Sequence, residues 1–550
     1  MDYFVRRPYL DEVFHVGQAR YYCLTHNFSW WDPKITTPPG LYLLSYAKYL
    51  ITGRCSIDAL RELNASILNL SLAPIGLALY LLSNRVSTLR AFLQIFHTNA
   101  NITNFPLLFF FSGLYYTDVA STFFVILAYT ASLPSGHSFR VLELVAGAAA
   151  LWFRQTNIFW VAVFPAGLRV AKEVREWNEA SPADTSFAGV IQAAWTEAAV
   201  YDPAVGDAEF EDYIKAALSI ALVAARQPHR LLLPLFPYLT LLAGFASFVA
   251  WNGGVVLGDK SNHVATIHLP QMLYLWPFML FFSFPLIIPP FASRLIDAFR
   301  LPAPRRLANT GIFLACTGLA LAAVHWNTIV HPFTLADNRH YVFYVFKILR
   351  TYPLLKYLAA PVYVVCAWAT ISALGHSRAV AGGGGGKAVS RAQRIWEPKV
   401  IEAEVIEAKV IEPEIIEPKV MEPKVIKPRV IGKEVAKAKT VIRTSKDEPE
   451  LEYSQQQPNA SFVLVWLAAT ALSLVSTALV EPRYCIVPWV MWRLRVASKV
   501  EGTWGYKWYD FRLVAETVWF YVIQDVTGKA FLHHGYEWAS EPGAVQRFMW

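Results

Sequence analysis

The sequence predicts an all-α membrane protein, a polytopic bundle of roughly 10–13 transmembrane helices with its polar loops gathered on one side. Hydrophobic residues make up 55% of the 550 residues and charged residues only 16%. A soluble protein of ordinary composition carries about 25% charged residues, so much of this surface must face lipid. Long apolar stretches recur along the chain and supply the helices that such a bundle needs.

Ten apolar stretches are candidate membrane spans, because a bilayer core needs about 20 helical residues. Three of them are too short to span without help from flanking residues and suit re-entrant pieces that line a cavity. These short stretches are 119–133, 141–153 and 158–170. The longer ones are 65–83, 91–112, 231–250, 269–290, 308–325, 352–375 and 460–480.

Short basic loops assign the two sides of the membrane. Counting through the spans puts 84–90 and 291–307 on one side, and positive residues mark that side as cytosolic. The basic residues concerned are Arg85, Arg90, Arg294, Arg300, Arg305 and Arg306. The net charge of +8 is therefore interpreted as topology rather than nucleic-acid binding. Residues 1–64 also contain several basic residues, but long loops follow this rule weakly.

This alternation divides the chain into segments with different tasks. Residues 376–459 contain a glycine run and five-residue Glu-Pro-Lys-Val-Ile repeats, in which proline and balanced charge favour a disordered linker. A partner-binding role for these repeats is the alternative. The predicted segments are a first lumenal loop with an acidic motif at 1–64, transmembrane helices at 65–171, a cytosolic loop at 172–229, transmembrane helices with lumenal motifs at 230–375, the cytosolic linker at 376–459, and a C-terminal transmembrane region at 460–550.

The five cysteines show no metal-ligand spacing and no Cys-x-x-Cys pair. We therefore expect no metal site, and interpret most of the cysteines as small apolar packing residues. Cys23 and Cys55 flank one polar loop, so a pairing in an oxidising compartment is an alternative, although free thiols are favoured here.

Adjacent carboxylates in the first polar loop are candidate general bases. A hydroxyl group is a poor nucleophile until a base accepts its proton, and a carboxylate at the lumenal membrane surface suits that task. Asp11 is the first choice, with Glu12 and Asp32 as rivals. The competing interpretation is that Asp11 caps a helix whose first turn contains Glu12.

Several long strings resemble one enzyme family. They include YLDEVFHVGQARYYC, WDPKITTPPGLY, LYYTDVAS, RQTNIFW, WNGGVVLGDKSNHVATIHLPQMLY, HPFTLADNRHYVFYVFK, LVEPRYCIVP and QRFMW. They resemble the dolichyl-phosphate-glucose-dependent α-1,2-glucosyltransferases of N-glycan precursor assembly. These belong to the multi-span GT-C glycosyltransferases. The strings occur in the family's order and cover nearly the whole chain, apart from the cytosolic segments 172–229 and 376–459.

The resemblance implies a complete reaction. The donor is dolichyl-phosphate glucose, and the acceptor is a dolichyl-pyrophosphate oligosaccharide that already carries two glucoses. The new α-1,2 bond inverts the anomeric centre, which needs one base and a stabilised leaving phosphate. The implied site is lumenal, in the endoplasmic-reticulum membrane, and needs no metal or other cofactor. The family carries a membrane span before the Asp-Glu loop, so we expect that the first loop lacks its usual anchor here.

The resemblance also suggests substrate-binding residues. Asp118 is a candidate to orient the acceptor sugar, or else a helix cap, while cations and imidazoles suit the leaving phosphate. Arg154, Gln155 and Asn157 interrupt an apolar run and face a cavity or serve packing. The other predicted binding residues are Lys260, His263, His331, Asp337, Arg339, His340, Glu481 and Arg483.

Two other functions remain open from the residues. A related transferase with mannose or another acceptor has the same chemistry, and the choice of glucose depends on the resemblance. A transporter or flippase is the alternative from a different class, but its usual internal repeats are not visible in the membrane part. The expected partners are the two lipid-linked substrates and the bilayer, with no nucleic acid, and the oligomeric state is not predicted.

Overall fold

The computed structural model describes residues 3–83, 89–260, 266–375, 457–497, 505–506 and 509–550. All of them belong to one compact unit. The linker predicted at 376–459 lies outside the described residues except for its last three residues, 457–459. The all-α membrane fold is confirmed, because helices form the body of the molecule and strands occur only as two short hairpins in the described part.

The described residues up to Arg226 form eleven α-helices. They are α1 Glu12–Thr25, α2 Gly40–Thr52, α3 Ile57–Leu70, α4 Leu72–Leu81, α5 Leu89–Thr103, α6 Pro106–Ser112, α7 Thr117–Ser132, α8 His137–Leu151, α9 Phe164–Trp177, α10 Phe187–Thr196 and α11 Phe210–Arg226. A 3₁₀ turn at Gln155–Asn157 and a π-helical turn at Phe159–Val163 separate α8 from α9.

The described residues after Arg226 form the longest helices. They are α12 Leu232–Asn252, α13 Pro270–Arg300, α14 Ala303–Asn327, α15 Pro332–Ala336, α16 Tyr341–Thr351, α17 Pro353–Ser372, α18 Ala460–Leu474, α19 Ile486–Arg493 and α20 Phe511–His533. The antiparallel hairpins pair β1 Gly505–Tyr506 with β2 Tyr509–Asp510, and β3 Tyr536–Trp538 with β4 Glu541–Gln546. Further 3₁₀ turns occupy Pro228–Leu231 and Pro482–Cys485.

Five of the described helical segments are long and apolar enough to cross a bilayer. They are Ile57–Leu81, Pro228–Asn252, Pro270–Arg300, Ala303–Asn327 and Pro353–Ser372. Their exposed leucines, such as Leu314 and Leu319 on α14, suit contact with lipid. The remaining predicted spans correspond to shorter or interrupted helices, so the predicted total of roughly 10–13 spans stays a prediction.

The centre of the bundle forms around a bend in α13. This helix contains four internal prolines, and its regular geometry breaks at Ser283 (φ −119°, ψ 19°). The Trp489 indole of α19 donates a 2.8 Å hydrogen bond to the Ser283 hydroxyl and stacks on Phe105 at 3.9 Å between ring centroids. Because proline removes backbone bonds inside a helix, packed neighbours and polar side chains stabilise the bend.

The segment 172–229, predicted as a cytosolic loop, is largely helical. Its acidic residues and prolines gave no indication of these helices. Helices α10 and α11 pack together, and α11 begins with a capping box in which the Glu209 backbone donates to Asp212 at 2.8 Å. Asp202 accepts hydrogen bonds from both the backbone and the hydroxyl of Ser461, at the start of α18. The loop is therefore tied to the bundle by specific polar contacts.

The first predicted loop is also ordered and helical. Helices α1 and α2 pack against each other, and the first long apolar segment begins at Ile57, before the predicted position 65. A disulfide joins Cys23 on α1 to Cys55, just before α3. The preference for free thiols at these two positions was wrong, because the turn between α2 and α3 brings the two cysteines together.

This disulfide gives a direct chemical test. Maleimide labelling of the denatured protein should modify three cysteines without reduction and all five after reduction. Cys55→Ser should lower stability by about 2–4 kcal/mol, since the cross-link restricts the unfolded chain. A thermal transition in detergent measures the loss, with Cys316→Ser as the control that should leave it unchanged. Labelling of all five cysteines before reduction would contradict the pairing.

Candidate active site

One cavity of about 690 Å³ collects loops from distant parts of the chain. The first loop, the start of α7, the turn after α8, the segment around α15 and α16, and the turn before α19 all contribute side chains. Ten of the predicted site residues line it: Asp11, Asp118, Arg154, Gln155, Asn157, Asp337, Arg339, His340, Glu481 and Arg483. These are loops that the sequence assigned to the lumenal side, so the structure brings the predicted polar set together.

Asp11 combines access to the cavity with a cationic neighbour. It lies directly before α1, and its side chain remains 49% exposed. The Arg483 guanidinium approaches its carboxylate at 3.5 Å. The preceding Leu10 adopts a left-handed backbone (φ 53°), which costs an L-residue about 1–2 kcal/mol. A carboxylate beside a cation and open to the cavity has the geometry that a base needs.

Arg483 is the centre of the charged wall of the cavity. Its guanidinium pairs with Glu481, lies 3.5 Å from Asp11 and 4.0 Å from Asp118, and is mostly buried. Pro482 begins the 3₁₀ turn that holds Glu481 and Arg483 side by side. Burial alone would lower the pKa of Arg483, but the surrounding carboxylates raise that pKa well above its ordinary value. The guanidinium therefore stays charged.

A second arginine comes from the interrupted run after α8. Arg154 has an extended backbone at the break and pairs with Asp118 at 3.1 Å. It also donates to the Thr117 hydroxyl at 3.3 Å. Asp118 lies in the first turn of α7, and its contacts with Arg154 and Arg483 give it a role in the cluster instead of the alternative cap.

Gln155 and Asn157 shape this break rather than extending the charged wall. The Gln155 amide donates to the Thr36 carbonyl at 2.7 Å and so connects the break to the first loop. The Asn157 amide donates to the Ser121 hydroxyl and the Ala150 carbonyl. Both line the cavity, while their hydrogen bonds are structural, so substrate binding by these amides stays a prediction.

Asp337, Arg339 and His340 form a separate ion cluster on the same cavity. Arg339 holds both carboxylate oxygens of Asp337, with distances of 2.8 Å and 2.7 Å. Burial tends to raise the pKa of Asp337, but the hydrogen bonds from Arg339 outweigh it and lower that pKa. The His340 ring lies 3.8 Å from the same carboxylate.

Glu12 is a structural residue in this geometry, although it is adjacent to Asp11. Its side chain is fully buried and pairs with Arg61 at 2.6 Å. The backbone N–H groups of Tyr9 and Tyr115 donate to the same carboxylate at 3.0 Å and 2.6 Å. The Glu12 carboxylate thus accepts four hydrogen bonds, two of them from the Arg61 guanidinium. Because it also points away from the cavity, it is poorly suited to accept a proton from substrate. The geometry therefore favours Asp11 over Glu12.

Asp32 also lies outside the cavity lining. Its carboxylate accepts from the backbone of Lys34 at 2.9 Å, which closes the turn of the first loop. The backbone N–H of Asp259 donates to the Pro33 carbonyl at 2.7 Å, and Gly258 packs against the same segment with a positive φ of 61°.

A Cβ atom at Gly258 would lie 2.4 Å from the Pro33 carbonyl oxygen, so this close approach of the two loops requires glycine. The contact fixes the first loop against the segment after α12. Asp32 is therefore placed as a residue of the loop turn, and its role as a base stays a prediction.

Two of the remaining predicted site residues, Lys260 and His331, lie away from the cavity. Lys260 is exposed and donates to the Asn252 carbonyl. His331 caps α15 by accepting from the backbone of Phe333 at 3.2 Å. His263 lies outside the described residues. The structure does not bring Lys260 and His331 to the site, because each satisfies its own local backbone instead.

Among the other residues that line the cavity are three with relevant chemistry that the sequence analysis did not single out. His15 follows Asp11 by one helical turn, and its ring lies 2.6 Å from the Tyr42 hydroxyl. Burial lowers the pKa of His15 to about 4, so its imidazole is neutral at neutral pH. Lys34 and Trp538 also line the cavity. The spacing of four residues between Asp11 and His15 could have placed both side chains on one face of a helix, whereas no sequence pattern placed Trp538 at the cavity.

The lining balances its charges. Four cations face four carboxylates, and the set is Lys34, Arg154, Arg339, Arg483, Asp11, Asp118, Asp337 and Glu481. Such a wall can hold an anionic group next to a carboxylate base, because guanidinium groups suit phosphate oxygens. No group of three or more potential metal ligands occurs among the residues that the structure describes, and the expectation of a metal-free reaction stays a prediction.

Comparison with known proteins assigns the family. The family model described as DIE2/ALG10 matches residues 5–494. The chain belongs to the DIE2/ALG10 family. A curated relative from Emericella nidulans is 43% identical, with 99% of this chain and 94% of the relative covered. Its name is Dol-P-Glc:Glc(2)Man(9)GlcNAc(2)-PP-Dol alpha-1,2-glucosyltransferase.

Other relatives of the same name support this assignment. The Aspergillus fumigatus protein is 41% identical, again over 99% of this chain and 94% of the relative. A Homo sapiens protein is 35% identical over 67% of this chain and 76% of its own length. No solved structure gives a significant match. The resemblance predicted from the sequence strings is thus confirmed, and the DIE2/ALG10 match includes the cavity residues up to Val487.

The contrast between Asp11 and Glu12 in this DIE2/ALG10 protein predicts different variant behaviour. Glu12→Gln should lower stability by about 3–5 kcal/mol, because it leaves the buried Arg61 charge without its partner. Asp11→Asn should leave stability nearly unchanged, since the Asp11 side chain is half exposed. Thermal transitions of the two purified variants in detergent measure the difference. A wild-type transition for Glu12→Gln would contradict the structural role.

Proposed function

We propose that this protein transfers glucose from dolichyl-phosphate glucose to the diglucosylated dolichyl-pyrophosphate oligosaccharide and forms the terminal α-1,2 bond. The observation that supports this most strongly is the half-exposed Asp11 carboxylate beside Arg483, on a cavity at one end of apolar helices. The names of the relatives give the same donor and acceptor. Lipid-linked substrates suit a site that adjoins membrane helices.

The chemistry is a single displacement with inversion. The acceptor hydroxyl oxygen forms a bond to the anomeric carbon of glucose while the bond from that carbon to the phosphate oxygen breaks. Asp11 accepts the hydroxyl proton, and dolichyl phosphate leaves with the bonding electrons. A base near the reacting hydroxyl contributes about 10²–10⁴-fold to such a step.

The two arginines supply the other half of the reaction. As the bond between the anomeric carbon and the phosphate oxygen breaks, negative charge grows on the departing phosphate. Arg483 and Arg154 stabilise that charge. Glu481 and Asp118 keep these guanidinium groups in position through their ion pairs. His15 is neutral and contributes no further positive charge to the base beside it. Asp118 lines the same cavity, where its carboxylate can also orient a sugar hydroxyl of the acceptor.

We further propose that the site faces the lumen of the endoplasmic reticulum. The loops around the cavity are those that the positive-inside rule assigns away from the cytosol. The Cys23–Cys55 disulfide in the first loop suits an oxidising compartment. Donor competition between dolichyl-phosphate glucose and dolichyl-phosphate mannose in the same membranes tests the choice of sugar.

Asp11→Asn provides the sharpest test of the base. The variant should lose about 10²–10⁴-fold in the rate of glucose transfer, because an amide cannot accept the proton. The assay measures transfer from dolichyl-phosphate glucose to the diglucosylated acceptor with purified protein in lipid. Asp58→Asn is a matched control, since Asp58 is 46% exposed in a surface ion pair with Arg54.

The same assay separates the rival bases. We expect Asp32→Asn to retain far more activity than Asp11→Asn. Normal transfer by Asp11→Asn together with loss in Asp32→Asn would move the role of base to Asp32. Absence of any glucose transfer by the wild-type protein would contradict the proposed reaction itself.

A further inference from the structure

The C-terminal hairpin is fixed to the cavity wall by backbone and side-chain bonds. The Met549 backbone donates to the Arg339 carbonyl at 2.8 Å, and Tyr341 donates back to the Met549 carbonyl at 3.1 Å. The Arg339 guanidinium also donates to Gln546 of β4 at 2.9 Å. The family model ends at residue 494, before this segment, whereas the alignments with the relatives cover 99% of this chain. The hairpin therefore adds a wall to the site beyond the residues that the family model matches.

Trp538 is the part of this hairpin that lines the cavity. Its indole N–H donates to the Asn338 side chain at 2.9 Å, and the Arg339 guanidinium lies 4.5 Å from its ring centroid. Tyr536 donates to the same Asn338 oxygen at 2.8 Å. The Trp538 side chain is partly exposed and lines the cavity. Its orientation is thus fixed while surface remains free to contact a ligand.

An oriented, partly exposed indole suits a sugar ring. The C–H groups on one face of a hexose are weakly positive, and the face of an aromatic ring is weakly negative. Stacking buries the apolar sugar face and leaves its hydroxyl groups free for polar contacts. The neighbouring Arg339 and Asp337 offer such contacts on the same cavity.

The position of Trp538 favours the acceptor over the donor. The donor glucose is a single sugar attached directly to phosphate, so it must lie at the Arg483 and Arg154 end. Arg339 and Asp337 form their own ion cluster, apart from the ion pairs of Arg483. The acceptor is a chain of sugars and extends beyond the reacting one, so it reaches the hairpin.

We propose that the C-terminal hairpin is part of the acceptor-binding site and that Trp538 stacks on a sugar of the acceptor oligosaccharide. This inference rests on the proposed glucosyltransferase function. It assigns an acceptor-specific role to a segment beyond the end of the family model at residue 494, and distinguishes that role from the transfer chemistry at Asp11 and Arg483.

The test compares Trp538→Ala with Trp538→Phe in the purified full chain. Trp538→Ala should raise the KM for the diglucosylated acceptor about tenfold, because one aromatic stacking contact is lost. The KM for dolichyl-phosphate glucose should stay unchanged. Trp538→Phe should recover most of the acceptor affinity, and Trp326→Ala, at an 80% exposed position on α14, should match the wild type.

The outcomes separate the inference from the function on which it rests. An unchanged acceptor KM in Trp538→Ala would overturn the inference while glucose transfer by the wild type still supported the function. Equal increases in both KM values would also overturn it, since a general structural effect would explain them. If Trp538→Ala does not fold, Trp538→Phe decides, because loss of acceptor affinity in that variant would contradict stacking. An inactive wild type would contradict the function and the inference together.

Discussion

A buried arginine surrounded by carboxylates is the interaction on which the site depends. Arg483 contacts Glu481 beside it, Asp11 from the first loop and Asp118 from the start of α7. A buried charge without partners destabilises a fold by several kcal/mol, so these loops must converge for Arg483 to remain buried. The same convergence leaves a cation where a phosphate group can bind, and it sets a carboxylate base beside that position.

Other contacts hold the first loop in register with this cluster. The Glu12–Arg61 pair anchors the start of α1 to α3, and the Cys23–Cys55 disulfide fixes its other end. Adjacent carboxylates thereby acquire different tasks, because Glu12 points into the core and Asp11 faces the cavity. The left-handed backbone at Leu10 marks the turn immediately before this division.

Composition and hydropathy were sufficient to predict the membrane fold, and the order of spans was sufficient to group the polar loops. They could not separate Asp11 from Glu12, because neighbouring residues share the same sequence signal and differ only in the packing around Arg61. The helices within 172–229 were missed because acids and prolines dominate the composition of that segment. Lys260 and His331 have suitable chemistry, but local backbone contacts hold them away from the cavity, and Trp538 reaches it through long-range pairing that periodicity does not report.

The binding of dolichyl phosphate is the most direct test of the central role of Arg483. Its dissociation constant should be measured for the wild type and for Arg483→Gln, using variant protein that retains a cooperative thermal transition. Loss of a charge-assisted contact of about 1.4 kcal/mol or more predicts binding at least tenfold weaker in the variant. Equal dissociation constants would contradict the account, because the phosphate would then bind without the guanidinium around which the site is organised.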